Sequence, residues 1–116
     1  MTTAEFTRWV VEFLNWRGHH VWRQNVGTIT RGRRPPKEQT GIGDIVGVLR
    51  PGGLHVEIEV KKRGEKQRPS QVTHQMRVES CAGIYLITHD KMEFEEQYER
   101  IILPRLKRYR GEVGIN

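Results

Sequence analysis

Three residues in the middle of the chain combine side chains that suit phosphate chemistry: Asp44, Glu59 and Lys61. Two converging carboxylates form a hard oxygen site of the kind that Mg²⁺ uses, since this ion takes a few protein oxygens and keeps several waters. We expect Mn²⁺ to bind the same site. A lysine beside such an ion can hold or deprotonate a water, while the ion polarises a phosphoryl oxygen. These three side chains therefore suit phosphodiester hydrolysis if the fold brings them together.

A predicted hairpin would bring them together. The segment DIVGVL and the segment LHVEIEVKK flank RPGG (50–53), which is typical of a tight turn. Pairing around this turn places Asp44 opposite the end of the second strand, near Glu59 to Lys61. Side chains alternate along a strand, so Glu57, Glu59 and Lys61 share one face. Taken alone, this alternation would indicate a solvated face whose charges compensate each other.

The other elements follow from periodicity and from turn residues. Thr2 or Thr3 can cap a first helix that Gly18 ends, and Asp90 with Glu93 resembles a capping box before a last helix that Pro104 interrupts. Between these helices the sequence predicts a strand over 19–30, a basic loop over 31–43, a helix over 70–81 and a strand over 83–89. A basic tail follows over 104–116. This order predicts an α/β fold, in which helices flank a mixed sheet.

Composition limits the class of protein. The chain has 116 residues, with 35 % hydrophobic and 29 % charged residues, which suits one domain over 1–116. Its net charge of +6 favours a polyanionic partner, nucleic acid first. The lone Cys81 excludes an intramolecular disulfide. No apolar run predicts a membrane span and the first residues do not resemble a signal peptide, so we expect a cytoplasmic protein.

The spacing of Asp44 and of Glu59-Val60-Lys61 resembles the PD-(D/E)xK nuclease motif. Further segments resemble, in order, the VRR-NUC branch of that superfamily: Glu5, WRQNVG, GIGDIVGVL, EVKK, Gln71 after RPS, and CAGIYLITH. The resemblance covers most of the chain and implies a restriction-endonuclease-like core. Gly43 stands where the family usually has proline, which should alter the stiffness of the loop and leave the chemistry intact.

The resemblance also implies roles for single residues. Asp44 and Glu59 would bind the ion with the Val60 carbonyl, Lys61 would serve the attacking water, and Gln71 would orient water or contact the phosphate. Glu5 would be an outer or second-metal ligand. Two alternatives stay open: Gln71 bonding its own helix start, and Glu5 favouring the helix dipole.

Basic residues around this motif are candidates for contacts with the nucleic-acid backbone. They are Arg31, Arg33, Arg34, Lys37, Lys62 and Arg63. Glu57 is interpreted as a surface or supporting charge, and the scattered histidines as surface or packing residues.

The resemblance implies a Mg²⁺- or Mn²⁺-dependent endonuclease. We expect a homodimer that cuts branched, junction or flap DNA in replication, recombination or repair, in a bacterial cell or a phage-infected host. Two alternatives remain: a non-catalytic nucleic-acid-binding module, and a nuclease of this fold that acts on RNA or on specific duplex sequences.

Overall fold

The elements of the fold follow the predicted order. The structure is a computed structural model that describes residues 1–24 and 41–113, with side chains as far as Tyr109. Its elements are α1 (Thr3–Trp16), β1 (His20–Arg23), β2 (Ile45–Leu49), β3 (Leu54–Val60), α2 (Pro69–Ser80), β4 (Ile84–Thr88), α3 (Lys91–Gln97), a turn of π-helix (Tyr98–Ile102) and α4 (Leu103–Val113). The predicted α/β fold, a mixed sheet with helices on it, is confirmed.

The four strands form one sheet in the order β1-β2-β3-β4. The first three strands are antiparallel neighbours, and β4 joins β3 in parallel after the crossover through α2. The predicted hairpin is present, with Ile45 paired to Ile58. Asp44, one residue before Ile45, therefore lies at the end of the hairpin where Glu59 and Val60 lie.

One face of the sheet carries the hydrophobic core. The apolar stripe of α1 (Phe6, Val10 and Leu14) packs in one buried cluster with Ile45 and Ile58 of the hairpin. The π-helical turn and α4 complete this cluster. The Thr2 side chain accepts a hydrogen bond from the Glu5 N–H, which fixes the start of α1 over this face of the sheet.

The opposite face of the sheet is polar where α2 covers it. Gln71 and His74 of α2 bond to Glu59 and Glu57 of β3, and no residue of α2 belongs to the main apolar cluster. This helix is thus attached to the sheet largely by polar contacts.

The structure corrects the prediction for the last helix. Pro104 does not end it, because α4 runs on from Leu103 to Val113. Proline has no N–H to give to the carbonyl four residues back, and the turn of π-helix that precedes it adjusts the helix at this point. Within the turn of π-helix, Ile101 is exposed, whereas Ile102 is fully buried.

The first strand is described only in part. It was predicted over 19–30 and is seen as His20–Arg23, while residues 25–30 lie outside the described residues. None of the helices in residues 1–24 and 41–113 combines the length and apolar character that crossing a bilayer requires.

Gly47 of β2 is predicted to tolerate no side chain. A Cβ there would overlap the His20 carbonyl oxygen and would lie 2.6 Å from the Val21 Cα, both in the backbone of β1. Gly47→Ala should therefore push β1 away and lower the free energy of unfolding by about 1–3 kcal/mol, measured by urea denaturation.

Gly53→Ala is the control for this measurement. Gly53 has φ +68°, and no heavy atom lies within 4 Å of the position that an added methyl group would take. This variant therefore loses only the left-handed backbone preference, about 1 kcal/mol. Equal losses for the two variants would contradict the steric explanation.

Candidate active site

The hairpin brings the carboxylate of Asp44 against the end of β3. Its Oδ2 accepts a hydrogen bond of 2.8 Å from the Val60 N–H. The Asp44 carbonyl in turn accepts from the Gln24 N–H at 2.7 Å, which ties this point to the end of β1. The predicted convergence of Asp44 with Glu59 and Val60 is thus what the register of β2 and β3 produces.

Glu59 and Lys61 are buried, although their strand face alone would have indicated solvent. They are 6 % and 7 % exposed, and the Lys61 Nζ lies 3.8 Å from the Glu59 Oε1. The Lys61 N–H donates to the Thr88 carbonyl of β4 at 3.1 Å, which extends the parallel pairing past the end of β3. Burying an ammonium group beside a carboxylate costs desolvation energy that a solvated surface pair does not cost, so this pair differs from an ordinary surface ion pair.

Gln71 connects α2 to this group. It is fully buried, its Oε1 accepts from the Arg68 N–H, and its Nε2 donates to the Glu59 Oε1, both at 2.8 Å. Because a backbone N–H can only donate, the amide oxygen must face Arg68 and the amide nitrogen must face Glu59. Gln71 therefore caps its own helix and holds one oxygen of Glu59.

The two carboxyl groups resist ionisation in the metal-free protein. Burial, followed by the charge of Asp44, raises the pKa of Glu59 to about 7, against opposing effects of Lys61 and Arg68. Burial also raises the pKa of Asp44, against the hydrogen bond from Val60 and nearby positive charges. A cation bound by both carboxylates would lower both pKa values.

A divalent ion fits these donors. Within the described part of the chain, the Glu59 Oε2 is buried and has no hydrogen-bond partner. No group of three or more His, Cys, Asp or Glu side chains among residues 1–24 and 41–113 is arranged to hold an ion. Two carboxylates and a backbone carbonyl are the sparse set of oxygens that suits Mg²⁺ or Mn²⁺ with its waters, and does not suit a tetrahedral zinc site.

Two adjoining cavities, which share Thr3 and Val60, open beside Asp44 and Lys61, and Glu59 lines neither of them. One, of about 320 Å³, is lined by Thr3, Ala4, Thr7, Arg23, Gln24, Asp44 and Val60. The other, of about 420 Å³, is lined by Met1, Thr2, Thr3, Phe6, Val60, Lys61, Lys62, Arg63 and His89. A larger cavity of about 780 Å³ shares Met1, Phe6, Arg63 and His89 with the second but is lined by neither Asp44 nor Lys61. Of these three cavities, the two beside Asp44 and Lys61 adjoin the candidate site residues.

The predicted basic contacts divide into two groups. Lys62 and Arg63 are exposed at the rim of the Lys61 cavity, where Arg63 pairs with Asp90. The remaining predicted contacts lie outside the described residues: Arg31, Arg33, Arg34 and Lys37.

Glu5 is engaged in its own helix start. Its Oε1 accepts from the Thr2 N–H at 3.3 Å, and hydrogen bonds with Thr2 lower the pKa of the exposed carboxyl group. The residues of α1 that line the cavity with Asp44 are Thr3, Ala4 and Thr7. The role of Glu5 as an outer metal ligand stays a prediction.

Sequence reasoning missed a cluster around Glu57. This residue, interpreted as a surface or supporting charge, is 3 % exposed. His55 and His74, interpreted as scattered, both place Nε2 within hydrogen-bond distance of its carboxylate. Burial alone would raise the pKa of Glu57, but hydrogen bonds from His55, Gly43 and His74 bring it below its ordinary value. The available signal was the shared strand face of Glu57 and Glu59, matched by the shared helix face of Gln71 and His74.

Comparison with known proteins supports the fold. No family model and no curated protein matches the chain. A solved structure described as a VRR_NUC domain matches with a TM-score of 0.65 and 18 % sequence identity, over 87 % of this chain and 99 % of that one. The chain therefore has the fold of a VRR_NUC domain, as its resemblance to that family predicted.

The raised pKa of Glu59 predicts how stability depends on pH without metal. The unfolded chain loses this proton near pH 4.5 and the folded chain near pH 7, so the free energy of unfolding should fall as pH rises between these values. One pKa unit is worth about 1.4 kcal/mol, so ionising this carboxyl group above that range should lower the free energy of unfolding by on the order of 3 kcal/mol.

Urea denaturation in EDTA from pH 4 to 8 measures this loss. Glu59→Gln cannot ionise and should flatten this part of the curve, whereas Glu12→Gln, at an exposed site on α1, should keep the wild-type slope. Parallel curves for wild type and Glu59→Gln would contradict the assignment.

Proposed function

We propose that this protein is a metal-dependent nuclease that hydrolyses phosphodiester bonds in DNA. The observation that carries the proposal is the convergence of Asp44, Glu59 and Lys61, with a buried Glu59 oxygen that lacks a partner among the described residues. The likeness to a VRR_NUC domain supports it, because this site lies on that fold.

Asp44 and Glu59 would hold a Mg²⁺ or Mn²⁺ ion, with the Val60 carbonyl as a further oxygen. When bound, the ion polarises a phosphoryl oxygen and favours an ionised water. The chain holds both carboxylates in advance: the Val60 N–H fixes Asp44, and Gln71 fixes the Glu59 Oε1, while the buried Oε2 has no hydrogen-bond partner among the described residues. Such advance positioning lowers the reorganisation that the reaction requires.

Lys61 would orient the attacking water as an ammonium group that donates a hydrogen bond to it. Its side chain lines the cavity of about 420 Å³ beside Val60, where burial keeps this group from being surrounded by bulk water. Attack in line with the 3′ oxygen as the leaving group would leave a 5′-phosphate on one product and a 3′-hydroxyl on the other. As an ammonium, Lys61 also places positive charge where negative charge develops on the phosphate.

The charge distribution favours a nucleic acid, and the resemblance to the VRR-NUC family is what favours DNA over RNA. The net charge of +6 suits a polyanion, and Arg23, Lys62 and Arg63 line the cavities beside the site. Backbone contacts of this kind bind without reading sequence, which suits cleavage selected by DNA structure in replication, recombination or repair. The setting we propose is the cytoplasm of a bacterial cell or a phage-infected host.

A cleavage panel tests this function. Labelled single-strand, duplex, flap, splayed and four-way-junction DNA would be incubated with wild type, Asp44→Asn, Glu59→Gln and Lys61→Met in Mg²⁺, Mn²⁺ or EDTA. Wild type should cut only with metal, most rapidly at branched DNA, and each variant should cut at least about 100-fold more slowly.

Glu12→Gln is the matched control, because it removes an exposed carboxylate far along α1 and should keep wild-type cleavage. Lys61→Met should still bind DNA, which separates binding from chemistry. Wild type that binds DNA with strong salt dependence but cuts no substrate in either metal would indicate a non-catalytic module. Cleavage of RNA alone would overturn the DNA assignment.

We also propose that the protein acts as a homodimer, since one small domain covers little of a branched substrate. Trp22 and Val48, on neighbouring strands and one face of the sheet, are 43 % and 38 % exposed and supply apolar surface for contact. Sedimentation equilibrium should show a dimer that Trp22→Lys weakens, with Arg8→Lys as a surface control. A monomer at all concentrations would contradict this proposal.

A further inference from the structure

Glu57 is a buried charge that the proposed chemistry does not use. It lies two residues before Glu59 on the same face of β3 and is 3 % exposed. Its Oε1 accepts from the Gly43 N–H at 3.0 Å, and its carboxylate lies 2.7 Å from the His55 Nε2 and 2.8 Å from the His74 Nε2. Both oxygens are thus occupied, whereas the buried Oε2 of Glu59 has no hydrogen-bond partner among the residues that the structure describes.

The first consequence concerns the segment that leads into Asp44. Glu57 holds the N–H of Gly43, the residue immediately before Asp44. A Cβ on Gly43 would lie 3.0 Å from backbone atoms of Ile58, so this segment lies directly against β3. Asp44 is therefore fixed from two sides: Glu57 holds the preceding peptide, and the Val60 N–H holds the Asp44 carboxylate.

The second consequence concerns the helix that carries Gln71. Residues three apart on a helix share a face, as do residues two apart on a strand. Gln71 bonds to Glu59, and His74 bonds to Glu57, so two parallel polar contacts join α2 to β3. Any shift of α2 along β3 that broke the His74 contact would also displace Gln71 from Glu59.

We propose that Glu57, together with His74, is a positioning residue of the metal site: it holds Asp44 and Gln71 in place relative to Glu59 and contacts neither ion nor substrate. This inference rests on the proposed function. This role is more specific than stabilising the fold, because the two groups that Glu57 bonds to position two different residues of the same site. A carboxylate that only stabilised the fold would not have to affect the affinity for metal.

Binding of Mn²⁺ to the DNA-free protein, measured by calorimetry, tests this role. Glu57→Leu removes the acceptor for Gly43 and His74 and should raise the Kd for Mn²⁺ by about 10-fold or more, the range found when residues that orient metal ligands are changed. Glu57→Gln keeps an oxygen for Gly43 and should stay within about 3-fold of wild type, since neutral His74 can then accept from the new amide.

His74→Phe gives an independent measurement if Glu57→Leu does not fold. It keeps the ring beside Tyr85 and the Glu57 contact with Gly43, and removes only the bond between α2 and Glu57. It should raise the Kd for Mn²⁺ less than Glu57→Leu does. Ile102→Val, in the core on the opposite face of the sheet, is the control for general destabilisation and should leave the Kd unchanged.

The outcomes separate the two proposals. A folded Glu57→Leu or His74→Phe protein with wild-type affinity for Mn²⁺ would overturn the positioning role while leaving the nuclease intact. Wild type that binds no Mn²⁺ would overturn the proposed function. In that case exchange of the Gly43 N–H, which should be protected in wild type and in Ile102→Val but not in Glu57→Leu, decides whether Glu57 holds the segment before Asp44.

Discussion

The register of the β2–β3 hairpin is the constraint on which the rest of the site depends. Pairing of Ile45 with Ile58 sets Asp44 beside the end of β3, where its carboxylate receives the Val60 N–H. Because strand side chains alternate, a slip by one residue would move Glu59 to the apolar face and bring Ile58 to the polar one. The buried cluster of α1 with Ile45 and Ile58 opposes that slip. The hydrophobic core therefore specifies the position of the polar site that lies on the other side of the same strands.

Glu57 and Glu59 lie on one face of β3 and are both buried, but their carboxylates have different hydrogen-bond partners. Glu57 meets a donor at each oxygen, and these hydrogen bonds keep its pKa below the ordinary value in spite of burial. Among the described residues, Glu59 accepts a hydrogen bond at one oxygen, from Gln71, and burial beside Asp44 raises its pKa to about 7. Unpaired buried oxygens are costly, so a site that keeps one open retains an electrostatic deficit that a bound cation can remove. That difference is what favours Glu59 over Glu57 as the proposed metal ligand at equal burial.

Local sequence patterns predicted the parts of the fold that local interactions determine. The Thr2 cap, the stop at Gly18 and the RPGG hairpin each depend on a few adjacent residues, and the hairpin alone brought Asp44 towards Glu59. The burial of Glu57 could not be predicted in this way, because the groups that cover it come from Gly43 and from His74 on a separate helix. The passage of the last helix through Pro104 likewise depended on a turn of π-helix that no residue pattern marks.

Because α2 has few buried apolar residues, its sequence did not indicate which of its faces meets the sheet. The polar contacts that attach α2 to the sheet also involve residues of the site. Of its buried residues, Val78 is apolar and Gln71 is polar, so no hydrophobic stripe indicates which face meets the sheet. The helix is oriented by Gln71 and His74, whose partners are the two glutamates of β3. Polar contacts in a buried layer are stable only when their geometry is satisfied, and each is directional in a way that apolar packing is not. The hydrogen bonds that dock α2 on the sheet therefore also set the direction of the Glu59 carboxylate. The attachment of this helix and the geometry of the site thus depend on the same contacts.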